Sequence, residues 1–148
     1  MRLAQREWPV SEGCLARESS MRRFARERVA PFAAVVDSEQ RPPIEALTAG
    51  LELGLPGLPY PEKFGGQAGD MYAQCIVVEE IAKVCATSAL TVSTAWVMMA
   101  VVDFGTEAQQ QEMLPAIVRG ESRPAWALTE PKAGSDLMSA STRATRTA

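Results

Sequence analysis

The sequence predicts a mainly α protein: an antiparallel helical bundle followed by the first strands of an incomplete β domain. Three observations predict it. Apolar residues recur at helical spacing through most of residues 1–122, and helix start and stop signals separate those stretches. Residues 123–148 then change character, to an aromatic-led apolar run, a turn built from Pro131 and Gly134-Ser135-Asp136, and a Thr-rich tail that alternates like a strand. The domain boundary is therefore set between residues 122 and 123. A chain of 148 residues is one ordinary domain, or one domain and the beginning of another.

The elements follow in order. Ser11 suits the cap of a helix whose apolar positions include Leu15, Met21, Phe24, Ala25, Val29, Phe32 and Val36. Pro31 is expected to kink or interrupt it. The charges between, among them Arg17, Glu18, Arg22, Arg23, Arg26 and Glu27, are of mixed sign, which indicates a solvated helix surface rather than a basic binding face. Arg41-Pro42-Pro43 links to a short helix over 44–53, stopped by Gly54 at the left-handed C-terminal position. Pro and Gly clusters around Tyr60 and Phe64 make 56–69 an ordered loop with aromatic anchors. Its Gly65-Gly66 pair lacks the surroundings of a phosphate loop and reads as a turn.

Asp70 caps a helix over 71–84, with Tyr72, Cys75, Ile76, Val78 (or Glu79) and Ala82 sharing its surface. Residues 89–104 are apolar almost all round and predict a helix buried on every side at the centre of the cluster. They fall short of the about 20 apolar residues a membrane span needs, so no membrane insertion is expected. Ser88, Val92 and Trp96 are spaced four apart and share one face of this helix. Gly105 ends it, and Thr106 with Gln109 has the spacing of a capping box for the next helix, which Pro115 is expected to divide before Gly120.

Composition narrows the function. Hydrophobic residues at 47% and charged ones at 22% belong to a soluble globular chain. Lys and Arg number 15 against 18 Asp and Glu, so no basic field exists to hold nucleic acid. The absence of histidine removes the Ser-His-Asp and Cys-His nucleophile arrangements and the usual zinc sites, and no metal is expected. Cys14, Cys75 and Cys85 lack Cys-x-x-Cys spacing and residues 1–10 lack an apolar export core, so reduced, buried thiols and a cytoplasmic location are expected.

The most informative stretch is 126–136. Trp126 leads an apolar run suited to a short strand, Pro131 stops it, and the Gly134-Ser135-Asp136 turn can aim several N–H groups and a hydroxyl at one anion. Leu128 and Thr129 offer an apolar wall beside one hydrogen-bonding hydroxyl, which suits the edge of a flat heteroaromatic ring. The order Ala127-Leu128-Thr129-Glu130-Pro131-Lys132-Ala133-Gly134-Ser135-Asp136 resembles the first signature of the acyl-CoA dehydrogenase family. The resemblance runs back through Phe24-Ala25-Arg26-Glu27-Arg28-Val29-Ala30-Pro31, Gly54-Leu55-Pro56-Gly57-Leu58, Pro61-Glu62-Lys63-Phe64-Gly65-Gly66 and Phe104-Gly105-Thr106-Glu107.

The resemblance implies a helical N-terminal domain, the opening of a middle β domain, and a part in FAD-dependent α,β-dehydrogenation of acyl-CoA thioesters. Trp126, Leu128 and Thr129 would face the flavin ring, Gly134 and Ser135 would meet the FAD pyrophosphate, and Ser135 would also lie near the acyl-CoA. Ser88, Val92 and Trp96 would line the fatty acyl tail, although plain core packing fits the same spacing. For Glu130 and Asp136, burial with a basic or backbone partner is expected rather than proton transfer. The catalytic base belongs to the family's C-terminal bundle, so no catalytic residue is assigned and the chain alone is expected to be inactive. It is then a natural truncation, part of a split enzyme or a fragment, and the resemblance implies a homo- or hetero-oligomer with other dehydrogenase chains. The alternative is a non-catalytic helical interaction module that pairs with a complete homologous subunit.

Overall fold

A computed structural model of the chain describes residues 12–145. The expected cap at Ser11 lies outside them. Helix α1 (Glu12–Phe24) runs through a π turn (Ala25–Val29) into α2 (Ala30–Ser38). The disturbance expected at Pro31 is taken up by that turn, where the Ala30 N–H reaches back to the Ala25 carbonyl. The wider turn lets Pro31 sit in the first turn of α2, where its missing N–H costs no helical hydrogen bond.

Helix α3 (Ile44–Glu52) ends as expected, with Gly54 at φ +67°. Two short 3-10 turns, Leu55–Gly57 and Glu62–Phe64, order the following loop. Its anchors are the fully buried Tyr60 and the buried Phe64. Gly66 is required there, because a Cβ would lie 2.5 Å from the Tyr60 carbonyl carbon.

In α4 (Met71–Ala82) the Asp70 carboxylate accepts from the Ala73 N–H at 2.8 Å. The buried face is Ala73, Ile76, Val77, Glu80 and Ile81. This corrects the expected set: Ile76 is shared, whereas Tyr72, Cys75 and Ala82 are exposed. Apolar residues on several sides left the phase of α4 ambiguous, and a carboxylate on the core face was not anticipated. Glu80 is 2% exposed and accepts from Arg22 of α1 through Nε and Nη2, both at 3.2 Å, and from Lys83 at 2.5 Å. No disulfide joins Cys14, Cys75 and Cys85, in keeping with the expected thiols, but Cys75 is exposed and the other two are only half-buried.

The apolar run is not one buried helix. It comprises α5 (Ala86–Ser93), a 3-10 stretch (Thr94–Met98) and α6 (Met99–Phe104). Ser88, Ala89, Val92 and Trp96 are buried, while Leu90 is 68% and Phe104 89% exposed. The helical run Ala86–Phe104 is 19 residues long and, by length and composition alone, sufficient to cross a membrane, so the expectation that it is too short does not hold.

Helix α7 (Glu107–Val118) carries the expected capping box, Gln109 N–H to the Thr106 hydroxyl and Thr106 N–H to the Gln109 side chain at 2.8 Å. Pro115 does not divide it. The helix runs on past the one hydrogen bond that proline forfeits, and Arg119 N–H bonds the Pro115 carbonyl at 3.1 Å.

Two packed clusters result. The larger joins α1, α3, α4 and α5 through Phe24, Val29, Ala49, Val77, Ile81 and Val92, and ends at Trp96. The smaller packs Tyr60 and Phe64 against Leu114 and Ile117 of α7. Among the described residues no β-strand forms: the run after Trp126 is irregular, and the only bridge recorded there pairs Glu130 with Ala133. An extended segment without a neighbour has no partner for its N–H and C=O groups, so the strand signal of 126–129 finds nothing to pair with.

Candidate functional site

The chain leaves α7 through Gly120 at φ +72° and runs without regular structure to Thr129. Trp126 is 58% and Leu128 44% exposed, and Thr129 is exposed beside them. The turn that follows is closely tied. Glu130 and Ala133 exchange backbone hydrogen bonds at 2.8 and 3.1 Å, and Ala133 is buried. Beyond it, Gly134 and Ser135 are exposed, and no atom lies within 4 Å of where a Gly134 Cβ would project. The Ser139 hydroxyl donates to the Asp136 carboxylate.

Glu130 closes the loop. Its Oε2 accepts from the Ser141 N–H and hydroxyl, both at 2.7 Å, and its Oε1 accepts from the Thr142 N–H at 2.8 Å. The donors at Thr142 and Ser141 hold the carboxyl down at about 2. A carboxylate with three inward donors stays ionised at any ordinary pH and is unsuited to take a proton from a substrate.

Ser88, Val92 and Trp96 are all buried, Ser88 and Val92 in α5 and Trp96 in the 3-10 stretch that follows it. The Ser88 hydroxyl donates to Cys85 Sγ at 3.1 Å, and the Trp96 indole donates to the Leu55 carbonyl at 2.9 Å. Val92 also lines a pocket of about 90 Å³ between α3 and α5, walled by Leu47, Leu51, Leu55 and Ala95. Arg123 and Pro124, at the start of the segment carrying Trp126, complete that wall. The structure thus brings Val92 towards the beginning of the signature segment. Ser88, Trp96, Gly134 and Ser135 are not among the residues lining this pocket.

Sequence reasoning missed Leu47, Leu51 and Arg123 as pocket residues, since nothing in their spacing marks them. It also missed Ser141 and Thr142 as the partners of Glu130. Two of those three bonds come from backbone N–H groups, which every non-proline residue carries, so no side-chain pattern announces them.

A helical domain ending in an exposed apolar segment and a closed small-residue turn is the class of protein these features define. A family model described as acyl-CoA dehydrogenase, N-terminal domain, matches residues 12–121. The short-chain specific acyl-CoA dehydrogenase of Clostridium acetobutylicum is 37% identical over 118 residues, 78% of this chain and 31% of that protein. Among solved structures, the glutaryl-coenzyme A dehydrogenase glutaryl-CoA complex matches with a TM-score of 0.82 at 29% identity, over 91% of this chain and 35% of that one. An acyl-CoA dehydrogenase complexed with FAD from Bacillus anthracis matches with a TM-score of 0.76 at 26% identity, over 88% and 23%. The chain belongs to the acyl-CoA dehydrogenase family. It spans about a third of the length of the curated relatives it matches.

Proposed function

We propose that this chain supplies one wall of the FAD site and part of the acyl-CoA site in an α,β-dehydrogenation of acyl-CoA thioesters. The observation that carries this reading is the exposed Trp126-Ala127-Leu128-Thr129 surface leading into the closed turn with its open Gly134. These residues fit one edge of a flavin. An indole and a leucine offer an apolar plane, the Thr129 hydroxyl offers one directed hydrogen bond, and a turn without a side chain at Gly134 lets backbone N–H groups approach a diphosphate. When bound, FAD supplies the electron acceptor for the hydride that leaves the acyl chain. Trp126, Leu128 and Thr129 would orient the ring, Gly134 and Ser135 would hold the pyrophosphate, and Ser135 would also meet the acyl-CoA. Ser88, Val92 and Trp96 are assigned to the acyl-tail side of the site. Val92 does so through the pocket it lines, Ser88 from the turn of α5 before it and Trp96 from the 3-10 stretch after it.

With Trp126 and Leu128 half in solvent, the ring would be covered on one side only, so FAD binding by the 148-residue chain is weak and turnover absent. FAD titration by fluorescence quenching, with and without a C-terminal fragment from a homologue, tests this. The fragment should tighten binding, and combined Thr129→Ala and Ser135→Ala should weaken it, each hydroxyl contributing about 1 kcal/mol. A double variant that binds as well as the parent in the complemented complex would remove the site assignment. Turnover of an acyl-CoA with an artificial electron acceptor, by chain free of host dehydrogenases, would contradict the inactivity.

One observation favours a second reading, an interaction module that pairs with a complete dehydrogenase subunit: the exposure of Leu90 and Phe104 on the apolar run. A colourless chain that co-purifies with such a subunit supports it, and a yellow one with a flavin spectrum supports the first.

A further inference from the structure

We propose that Glu130 is a positioning residue for the flavin-binding turn, its carboxylate tying the segment before Gly134-Ser135 to the segment after it and so fixing the amides offered to the pyrophosphate. The inference rests on the flavin reading above and adds to it a residue with no contact to the flavin itself.

The hydrogen bonds carry the argument. Glu130 is at the neck of two nested loops. Its backbone closes the inner one by pairing with Ala133, and its side chain closes the outer one by accepting from residues 11 and 12 positions later. Each carboxylate oxygen is used: Oε2 by the Ser141 N–H and hydroxyl, Oε1 by the Thr142 N–H. All three donors are neutral, so the carboxylate is not one half of an ion pair but the charged acceptor of three charge-assisted hydrogen bonds. Asp136 adds a smaller latch inside the loop through the Ser139 hydroxyl.

The amides to be presented are left open. Among the described residues no acceptor takes the Gly134 or Ser135 N–H. A free loop of this length would sample many backbone states, and a ligand would have to order it at a cost in affinity. A neck closed by three bonds lowers that cost before the ligand arrives. The geometry also explains the residue type. Glutamine in this place sets its NH₂ group against at least the Thr142 N–H and loses that bond, and aspartate is one methylene shorter across the same gap. The depressed value of about 2 keeps the acceptor ionised, consistent with a fixed tie and not with a proton carrier.

The test is ¹⁵N NMR on the 148-residue chain titrated with FAD, comparing the parent with Glu130→Gln and Glu130→Asp. Two readouts are kept separate: hydrogen exchange at the Ser141 and Thr142 amides, which reports the neck, and FAD-dependent shifts at the Gly134 and Ser135 amides, which report the ligand. In Glu130→Gln, exchange at 141 and 142 should quicken and the FAD affinity read at 134 and 135 should fall by about tenfold or more, while far-UV circular dichroism of the helices stays unchanged. Glu130→Asp should lie between. If Glu130→Gln exchanges faster at 141 and 142 yet keeps the parent's FAD response, the tie is only structural and the inference fails while the flavin reading stands. If FAD leaves the parent's 134 and 135 amides unmoved, the flavin reading fails and the inference with it.

Discussion

The indole N–H of Trp96 donates to the backbone carbonyl of Leu55 at 2.9 Å, across 41 residues of sequence and with both residues buried. One residue earlier, the Ala95 carbonyl accepts from the hydroxyl of Tyr60. These bonds join the loop after α3 to the 3-10 stretch between α5 and α6, the place where the two apolar clusters meet. Ala95 and Val92, which flank this junction, both line the pocket next to the signature segment.

Trp96→Phe should therefore destabilise the domain beyond its loss of buried area. Phenylalanine fills most of the space but removes the indole donor and leaves the Leu55 carbonyl with the Leu58 N–H at 3.1 Å as its one remaining partner, a cost of about 1 kcal/mol. Urea unfolding should show a lower midpoint with an unchanged slope. An unchanged midpoint would mean that water reaches the carbonyl and that the junction is looser than the packing indicates.

Two substitutions on the apolar run separate its faces. Val92 is 5% exposed in the larger cluster, so Val92→Asp should abolish cooperative unfolding, an unpaired buried carboxylate costing several kcal/mol, comparable with a small domain's stability. Val97 is only half-buried, and Val97→Asp should leave a folded protein with a lower melting temperature. Composition alone puts both positions in the core. Equal damage from the two would restore the reading of residues 89–104 as a helix buried all round.

That contrast shows which parts of the fold are legible in the sequence. Asp70 and Thr106 reveal their helix starts because a cap is a local bond between a side chain and a backbone group three residues on, and Gly54 reveals a helix end because φ +67° suits it. The 3-10 break at Thr94–Met98 is not local: within it Ala95 and Trp96 bond Tyr60 and Leu55 from far along the chain. In the signature segment, residue types showed a turn and the family, yet the tie from Glu130 to Ser141 and Thr142 rests mainly on backbone amides. The strand expected after Trp126 failed for want of a partner, not of propensity.

Gly66→Ala should disturb the aromatic loop although it adds a single methyl. The new Cβ would lie 2.5 Å from the Tyr60 carbonyl carbon and 2.8 Å from the Tyr60 Cβ, so the backbone must move to admit it. Tyr60 is fully buried and burial pushes its phenol up to about 12, so the shift opens a packed site. A loss of about 1–3 kcal/mol is expected, with a change in near-ultraviolet circular dichroism from the tyrosine. A parent-like spectrum and melting temperature would show that the loop yields freely.

Glu80 sets a pH limit on the domain. Burial acts to raise its carboxyl, but hydrogen bonds from Arg22 and Lys83 outweigh that and hold it below the ordinary value of 4.5. The unfolded chain then binds the proton more tightly than the folded one. The stabilisation is therefore complete above about pH 4.5 and is lost as the pH falls through the lower folded-state value. Glu80→Gln keeps the shape but removes the charge facing two cations, and should cost about 1–3 kcal/mol at neutral pH. Stability profiles of parent and variant should converge only once the pH has fallen through Glu80's depressed folded-state value, where the parent's Glu80 is protonated as well. Arg22→Gln should behave in the same sense with a smaller effect, because Lys83 still reaches Glu80 at 2.5 Å. Parallel profiles for parent and Glu80→Gln down to pH 3 would show that the carboxylate contributes through packing alone, and that the tie between α1 and α4 is apolar.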